Sequence, residues 1–314
     1  MADGQAARAA EKFQHPDFTA DGRRRAEAAF AHLETLWINT GTLCNIECAR
    51  CYIDSSPTND RLAYITPGEI APFLGEAEGL GAREVGFTGG EPFMNPHIGE
   101  LARASLERGF DVLILTNAMR PMMRARVQEN LLGLRDLYRD RIRLRVSLDH
   151  YAPASHDGER GAGGFDEAVR GLLWLAREGF DISVAGRTLG SEPVSEARKG
   201  YAALFAALGL PVDASDPAAL VIFPEMDETK DTPEITVDCW RILGKSPASV
   251  MCASSRMVVK RKGADAPSVV ACTLLPYAEA FDLGATIAGS LAPVKLNHPH
   301  CSRFCVLGGA SCSP

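Results

Sequence analysis

Between Leu36 and Glu225 the chain repeats one pattern: a short apolar run, a polar turn, then a longer stretch with apolar residues at helical spacing. The apolar runs are Leu36–Ile38, Glu84–Thr88, Val112–Leu115, Leu144–Leu148, Ile182–Ala185 and Leu220–Phe223. Helical spacing covers the segment that Thr66 opens and Gly79 closes, then Ile98–Arg108, Met122–Tyr138, Phe165–Arg177 and Val194–Leu208. Thr66-Pro67-Gly68-Glu69 is a strong helix start: Thr66 suits the N-cap, Pro67 the first turn, and Glu69 closes a capping box. Strands alternating with helices in this way predict an α/β fold of parallel strands joined by right-handed crossovers. Two closures satisfy the pattern, a curved barrel or an open doubly wound sheet. In either, the polar residues at the strand ends gather on one side.

The flanks read differently. Residues 1–33 form a lead-in, with an Ala-, Arg- and Glu-rich helix expected over Gly22–Leu33 that packs through Ala28, Phe30 and Leu33. Residues 34–235 are the repeating core. Residues 236–314 are a small Cys-rich domain in which Pro233, Pro247 and Pro267 mark the change of texture and helical periodicity fades. Met257–Lys260 and Ser268–Ala271 flank Arg261-Lys262-Gly263 as an expected β-hairpin. The chain contains no apolar run of about 18 residues, so no membrane span is expected. No basic stretch followed by an apolar core stands at Met1, so a cytoplasmic location is expected. The net charge of −7 argues against general binding to nucleic acid or anionic membrane.

Cys44, Cys48 and Cys51 follow the first strand with the spacing C-x3-C-x2-C. No fourth cysteine lies nearby, and no histidine falls between His32 and His97. A structural zinc site usually takes four protein ligands. Three thiolates instead suit a cubane iron–sulfur cluster with one iron left open to a small molecule. The other six cysteines, at 239, 252, 272, 301, 305 and 312, lie in the last quarter. Without an export signal, a metal framework is expected for them rather than disulfides.

C-x3-C-x2-C followed by Tyr52, with a second strand that runs into Gly89-Gly90-Glu91-Pro92, resembles the radical S-adenosylmethionine superfamily over residues 34–225. The resemblance implies a partial (β/α)6 TIM-like barrel, with a 4Fe–4S cluster on Cys44, Cys48 and Cys51. It also implies that S-adenosylmethionine chelates the fourth iron and is cleaved reductively to a 5′-deoxyadenosyl radical that takes a substrate hydrogen. An electron donor such as flavodoxin or ferredoxin is implied as partner. Gly89, Gly90, Glu91 and Pro92 are implied to contact the cofactor's amino group, Tyr52 its adenine, and Ser147, Arg187 and Asn117 its ribose or carboxylate. Asp149, His150 and Glu225 are expected to face the barrel mouth; Asp149 and Glu225 are the catalytic candidates, and a structural role is the leading reading for all three.

Cys252, Gly263 and Cys272 resemble the hairpin of the SPASM and Twitch extensions, and Cys301, Cys305 and Cys312 its trailing ligands. The chain has too few cysteines for two further clusters ligated wholly by cysteine. The resemblance therefore implies one auxiliary 4Fe–4S cluster on Cys252, Cys272 and two of Cys301, Cys305 and Cys312, with Cys239 a spare buried thiol. Zinc held by His298, His300, Cys301 and Cys305 is the competing reading. The expected function is a radical oxidoreductase acting on a small molecule. The alternatives are a maturase of a ribosomally made peptide and a non-catalytic iron–sulfur or zinc protein.

Overall fold

The computed structural model describes residues 12–190, 192–225 and 230–310. Six strands, β2 (Thr35–Asn39), β3 (Glu84–Thr88), β4 (Asp111–Thr116), β5 (Ile142–Ser147), β6 (Asp181–Arg187) and β7 (Leu220–Phe223), lie side by side in chain order, every neighbouring pair parallel. The connecting helices are α1 (Pro67–Gly79), α2 (Ile98–Glu107), α3 (Ala125–Tyr138), α4 (Pro153–Arg160), α5 (Gly164–Arg177) and α6 (Val194–Leu208). An open doubly wound sheet reverses its strand order at a switch point. No reversal occurs among these six strands, so the α/β fold is a partial barrel that brings every strand's C-terminal end to one mouth.

Alternation along the strands sorts their side chains into two cores. Leu36 and Ile38 of β2, Val112 and Ile114 of β4 and Val184 of β6 pack outward with Leu74, Leu101, Leu131 and Leu172 of the helices. Trp37, Leu113, Ala185 and Phe223 turn inward. Trp37 fits because Gly86 faces it on β3; a Cβ there would lie 2.5 Å from the indole. The start of α1 follows the expected capping: Glu69 Oε2 accepts from the Thr66 backbone N–H at 2.9 Å and from its hydroxyl at 2.8 Å.

The C-terminal residues continue the same sheet. After a short helix, α7 (Cys239–Leu243), comes β8 (Ser255–Val259), which pairs parallel with β2 on the edge opposite β3. Next come β9 (Ser268–Val270), antiparallel to β8 as the expected hairpin, and β10 (Asp282–Gly284), antiparallel to β9. Among the described residues the sheet therefore has nine strands, in the order β10-β9-β8-β2-β3-β4-β5-β6-β7.

Two expectations are corrected. Gly22–Leu33 is not helical; it is extended and contains strand β1 (Glu27–Ala28), which pairs antiparallel with β11 (Val294–Lys295). Tertiary contacts override the helical propensity of its Ala, Arg and Glu residues. Ala26 and Ala28 are fully buried. The Arg25 guanidinium is buried against Glu234 at 2.6 Å and donates to the carbonyls of Phe18 and His15. A helix would withdraw these groups from their partners. The second correction adds α4, which lies between β5 and α5 where no helix was expected.

Candidate functional site

The chain leaves β2 and is pinned at once to the end of β3. Thr40 donates to the Thr88 carbonyl through both its N–H (2.8 Å) and its hydroxyl (2.9 Å). The N–H groups of Gly90 and Glu91 donate to the carbonyls of Gly41 (2.8 Å) and Leu43 (3.1 Å). The approach is close enough to require glycine. Gly89 sits at φ +141°, and a Cβ on Gly90 would stand 2.2 Å from the Leu43 carbonyl oxygen. Gly90→Ala should therefore cost about 1–3 kcal/mol of stability in thermal unfolding. Gly75→Ala in α1, which has open space around it, should cost nothing. Equal melting temperatures for the two variants would show that this contact does not constrain the fold.

Leu43 then carries the chain into the cysteine loop, which closes through the Cys44 N–H on the Ser56 carbonyl at 3.0 Å. Cys44, Cys48 and Cys51 line one cleft with Tyr52, Gly89, Gly90, Asn117, Ser147, Asp149, Arg160 and Arg187. The structure thus gathers at the mouth ten of the residues singled out from sequence: Cys44, Cys48, Cys51, Tyr52, Gly89, Gly90, Asn117, Ser147, Asp149 and Arg187. Burial pushes the Cys44 thiol up to about 12 and raises Cys48 as well. Thiolate forms at these positions therefore call for a compensating positive centre. Among the described residues, no three His, Cys, Asp or Glu side chains meet closely enough to hold a single metal ion. A cubane has its irons at separate corners, so it asks its thiolates to border a shared space rather than to meet at a point. The three thiols bordering one cleft fit that demand.

Glu91 and Pro92 do not line the cleft. The Glu91 carboxylate is buried beneath it, where Oε1 accepts from the Thr116 hydroxyl (2.8 Å) and the Phe93 N–H (3.2 Å), and Oε2 from the Asn117 N–H (2.8 Å). It ties β3 to β4. Burial, outweighing these donors, pushes its carboxyl up to about 7.

Asp149 is held in a two-pronged pair with Arg160, at 2.9 and 3.0 Å, and its backbone carbonyl accepts from the Arg187 N–H at 3.0 Å. Burial would raise its carboxyl; the charges of Arg160 and Arg187 overcome that and hold it at about 2. It is a fixed anion that orients two arginines, an unsuitable state for a group that must carry a proton. Arg187 also donates to the Arg50 carbonyl at 3.1 Å and lies over the Tyr52 ring, 4.8 Å from its centroid. Its Nε is buried with no partner among the described residues. Glu225 stays outside the cleft lining and bridges Arg50 (3.4 Å) and Lys230 (3.6 Å). Arg160 was missed by the sequence reading. Its helix, α4, carried a usable signal: Pro153 at the first position and Gly161 just past the end.

Cys252, Cys272, Cys301 and Cys305 line a second, smaller cavity together with His300, and Leu274 borders both cavities. Burial pushes Cys252 up to about 11, and burial with the neighbouring Cys272 and Cys252 takes Cys301 well above the usual thiol range. Cys301 and Cys305 project from a π-helical turn, Cys301–Leu307. The edge of Tyr52 meets Phe304 of that turn, with centroids 5.9 Å apart. Cys239 stands away from both cavities and accepts from the Thr236 N–H at 3.4 Å; it is half-buried. Cys312 lies outside the described residues.

The family model described as the radical SAM superfamily matches residues 38–199. The chain belongs to the radical SAM superfamily. Members of the superfamily are enzymes, and they work with a 4Fe–4S cluster and S-adenosylmethionine. The chain is 31% identical over 146 residues to the antilisterial bacteriocin subtilosin biosynthesis protein AlbA of Bacillus subtilis (strain 168), covering 45% of this chain and 30% of that protein. It is 31% identical over 144 residues to the mycofactocin maturase MftC of Mycobacterium tuberculosis (strain ATCC 25618 / H37Rv), covering 44% and 33%. The matches span about a third of these curated relatives' length. Among solved structures, Streptococcus suis SuiB bound to S-adenosylmethionine superposes with a TM-score of 0.59 at 14% identity, covering 81% of this chain and 63% of that one. Native anSMEcpe with bound AdoMet gives 0.57 at 14%, covering 82% and 79%. These structures share the fold. No described helix is long and apolar enough to cross a membrane.

Proposed function

We propose that this radical SAM enzyme carries two iron–sulfur clusters and modifies a peptide substrate. The observation that supports the first half is the convergence of four cysteines, at 252, 272, 301 and 305, on one cavity that shares Leu274 with the cleft of Cys44, Cys48 and Cys51. Bound there, a 4Fe–4S cluster with S-adenosylmethionine would supply the radical chemistry that takes a hydrogen from the substrate. Cys44, Cys48 and Cys51 hold that cluster. Tyr52, Gly89, Gly90, Ser147 and Arg187 line the cleft that would take S-adenosylmethionine, and Arg160 and Arg187, fixed by Asp149, would set positive charge beside it. Glu225 with Arg50 and Lys230 forms a charged rim rather than a catalytic acid. The second cluster would be held by Cys252, Cys272, Cys301 and Cys305, of which Cys252 and Cys301 are buried and Cys272 and Cys305 half-buried. Zinc at His298, His300, Cys301 and Cys305 is less well supported, since no three of these side chains meet as ligands of a single ion.

A peptide is favoured over the small molecule expected from sequence. Relatives include a mycofactocin maturase, and the radical SAM structures of like fold include SuiB bound to the precursor peptide SuiA and anSMEcpe bound to a Cp18Cys peptide. Reconstituted protein should hold about eight irons per chain, falling to about four in the Cys252→Ala/Cys272→Ala double variant. Four irons in both proteins would remove the second cluster. The peptide reading is tested by incubating the reduced protein with S-adenosylmethionine and a candidate precursor peptide, and reading the peptide's mass. Turnover of a small alcohol with no peptide modified would replace it.

A further inference from the structure

Asn117 closes the β4 end of the cleft, and its side-chain amide and backbone N–H are engaged within the protein. Its backbone N–H donates to Glu91 Oε2 at 2.8 Å. Its Oδ1 accepts from the Met119 N–H at 3.0 Å. That bond fixes the orientation of the amide, because a flipped side chain would set an N–H donor against an N–H donor. The two hydrogens of Nδ2 must then point the other way. One reaches Asn45 Oδ1 at 2.9 Å, and the other faces Cys44 Sγ at 3.8 Å.

The turn that carries Asn117 is rigid. Ala118 sits at φ +58°, and its N–H donates to the Thr116 hydroxyl at 2.9 Å. Helix α5 presses onto the turn at Gly171, where a Cβ would stand 1.9 Å from the Ala118 carbonyl oxygen. Asn117 is 4% exposed. A side chain held this way has no amide hydrogen to give the adenosyl group, the role its position at the mouth had implied.

We infer that Asn117 is a positioning residue for the iron–sulfur cluster, donating a hydrogen bond from Nδ2 to the Cys44 thiolate and so setting the cluster's reduction potential. The inference rests on Cys44 being a cluster ligand, as proposed above. Hydrogen bonds to ligating sulfur are among the factors that set such potentials. The reduced cluster carries one more negative charge than the oxidised one and gains more from the donor. The donor therefore favours reduction, and its removal makes the cluster harder to reduce.

The test is potentiometry followed by electron paramagnetic resonance on reconstituted protein without S-adenosylmethionine. Asn117→Ala should lower the reduced-to-oxidised ratio at a fixed potential at least tenfold, equivalent to ~59 mV for one electron. Asn117→Asp keeps the acceptor for Met119 but offers sulfur a carboxylate oxygen, so it should lower the ratio further. Affinity for S-adenosylmethionine, read from the spectral change on its addition, should stay within about twofold. An unchanged potential in both variants overturns the inference, as does an unchanged potential with weakened S-adenosylmethionine binding, which would restore the cofactor contact. Loss of the cluster from both variants, with far-ultraviolet circular dichroism unchanged, would also overturn it and assign Asn117 to cluster assembly. Failure of the underlying ligand assignment looks different: a Cys44→Ala protein would then keep the wild-type cluster signal and potential.

Discussion

Cys44→Ala should reduce cleavage of S-adenosylmethionine to 5′-deoxyadenosine to the level of cluster-free protein, and leave the fold intact. Cys44 is 4% exposed, and among the described residues its cleft is lined by no cysteine besides Cys48 and Cys51 that could take its place. Removing one buried sulfur costs on the order of 1 kcal/mol, too little to unfold a domain of this size. The backbone bond from Cys44 to Ser56 does not involve the side chain and survives. Quantifying 5′-deoxyadenosine after chemical reduction reads the outcome directly. Cleavage at the wild-type rate would show that Cys44 holds no essential iron. Cys239→Ala, altered in a thiol remote from both cavities, should cleave normally and serves as the control.

Arg160→Met should destabilise the cluster-free protein by about 3–5 kcal/mol at pH 7, because it leaves the Asp149 carboxylate buried with its main partner gone. Arg187, at 4.0 Å, is too distant to replace a two-pronged pair. The pH dependence gives a second reading. In the wild type Asp149 is held at about 2 against an ordinary 3.8. A carboxyl depressed in this way contributes stability that is fully present above about pH 4 and is lost as pH falls toward 2, a contribution of roughly 2 kcal/mol. Without Arg160, burial dominates and favours the neutral acid, so the deficit should narrow on acidification. Urea unfolding of both proteins between pH 7 and pH 3 measures this. A variant within about 1 kcal/mol of wild type at pH 7 would show that Arg160 is not the counter-ion that keeps Asp149 ionised.

The strands and most helices of the barrel were legible because their burial follows short-range periodicity: Val194–Leu208 and Leu220–Phe223 lie where the sequence places them. The cysteine loop and Gly89-Gly90 were legible because cluster ligation and backbone crowding demand particular residues. Three features were not. Gly22–Leu33 has the composition of a helix, but its conformation is decided by Glu234 and by β11, more than 200 residues away in the chain. Helix α4 is short and polar, with only His156 and Glu159 fully buried, so no apolar stripe announced it. The inward turn of Glu91 depends on donors from Thr116 and Asn117 across a strand boundary, a three-dimensional arrangement that the Gly-Gly-Glu-Pro motif does not encode.

The pairing of β8 with β2 also bears on how the chain folds. Until Ser255–Val259 has been synthesised, one whole edge of β2 lacks its partner, although all five of its residues are buried in the finished protein. An uncovered apolar edge strand is a template for pairing with other chains. A nascent or shortened chain ending near residue 235 would present that edge, so the last quarter of the sequence acts as a guard against aggregation as well as a carrier of cysteines.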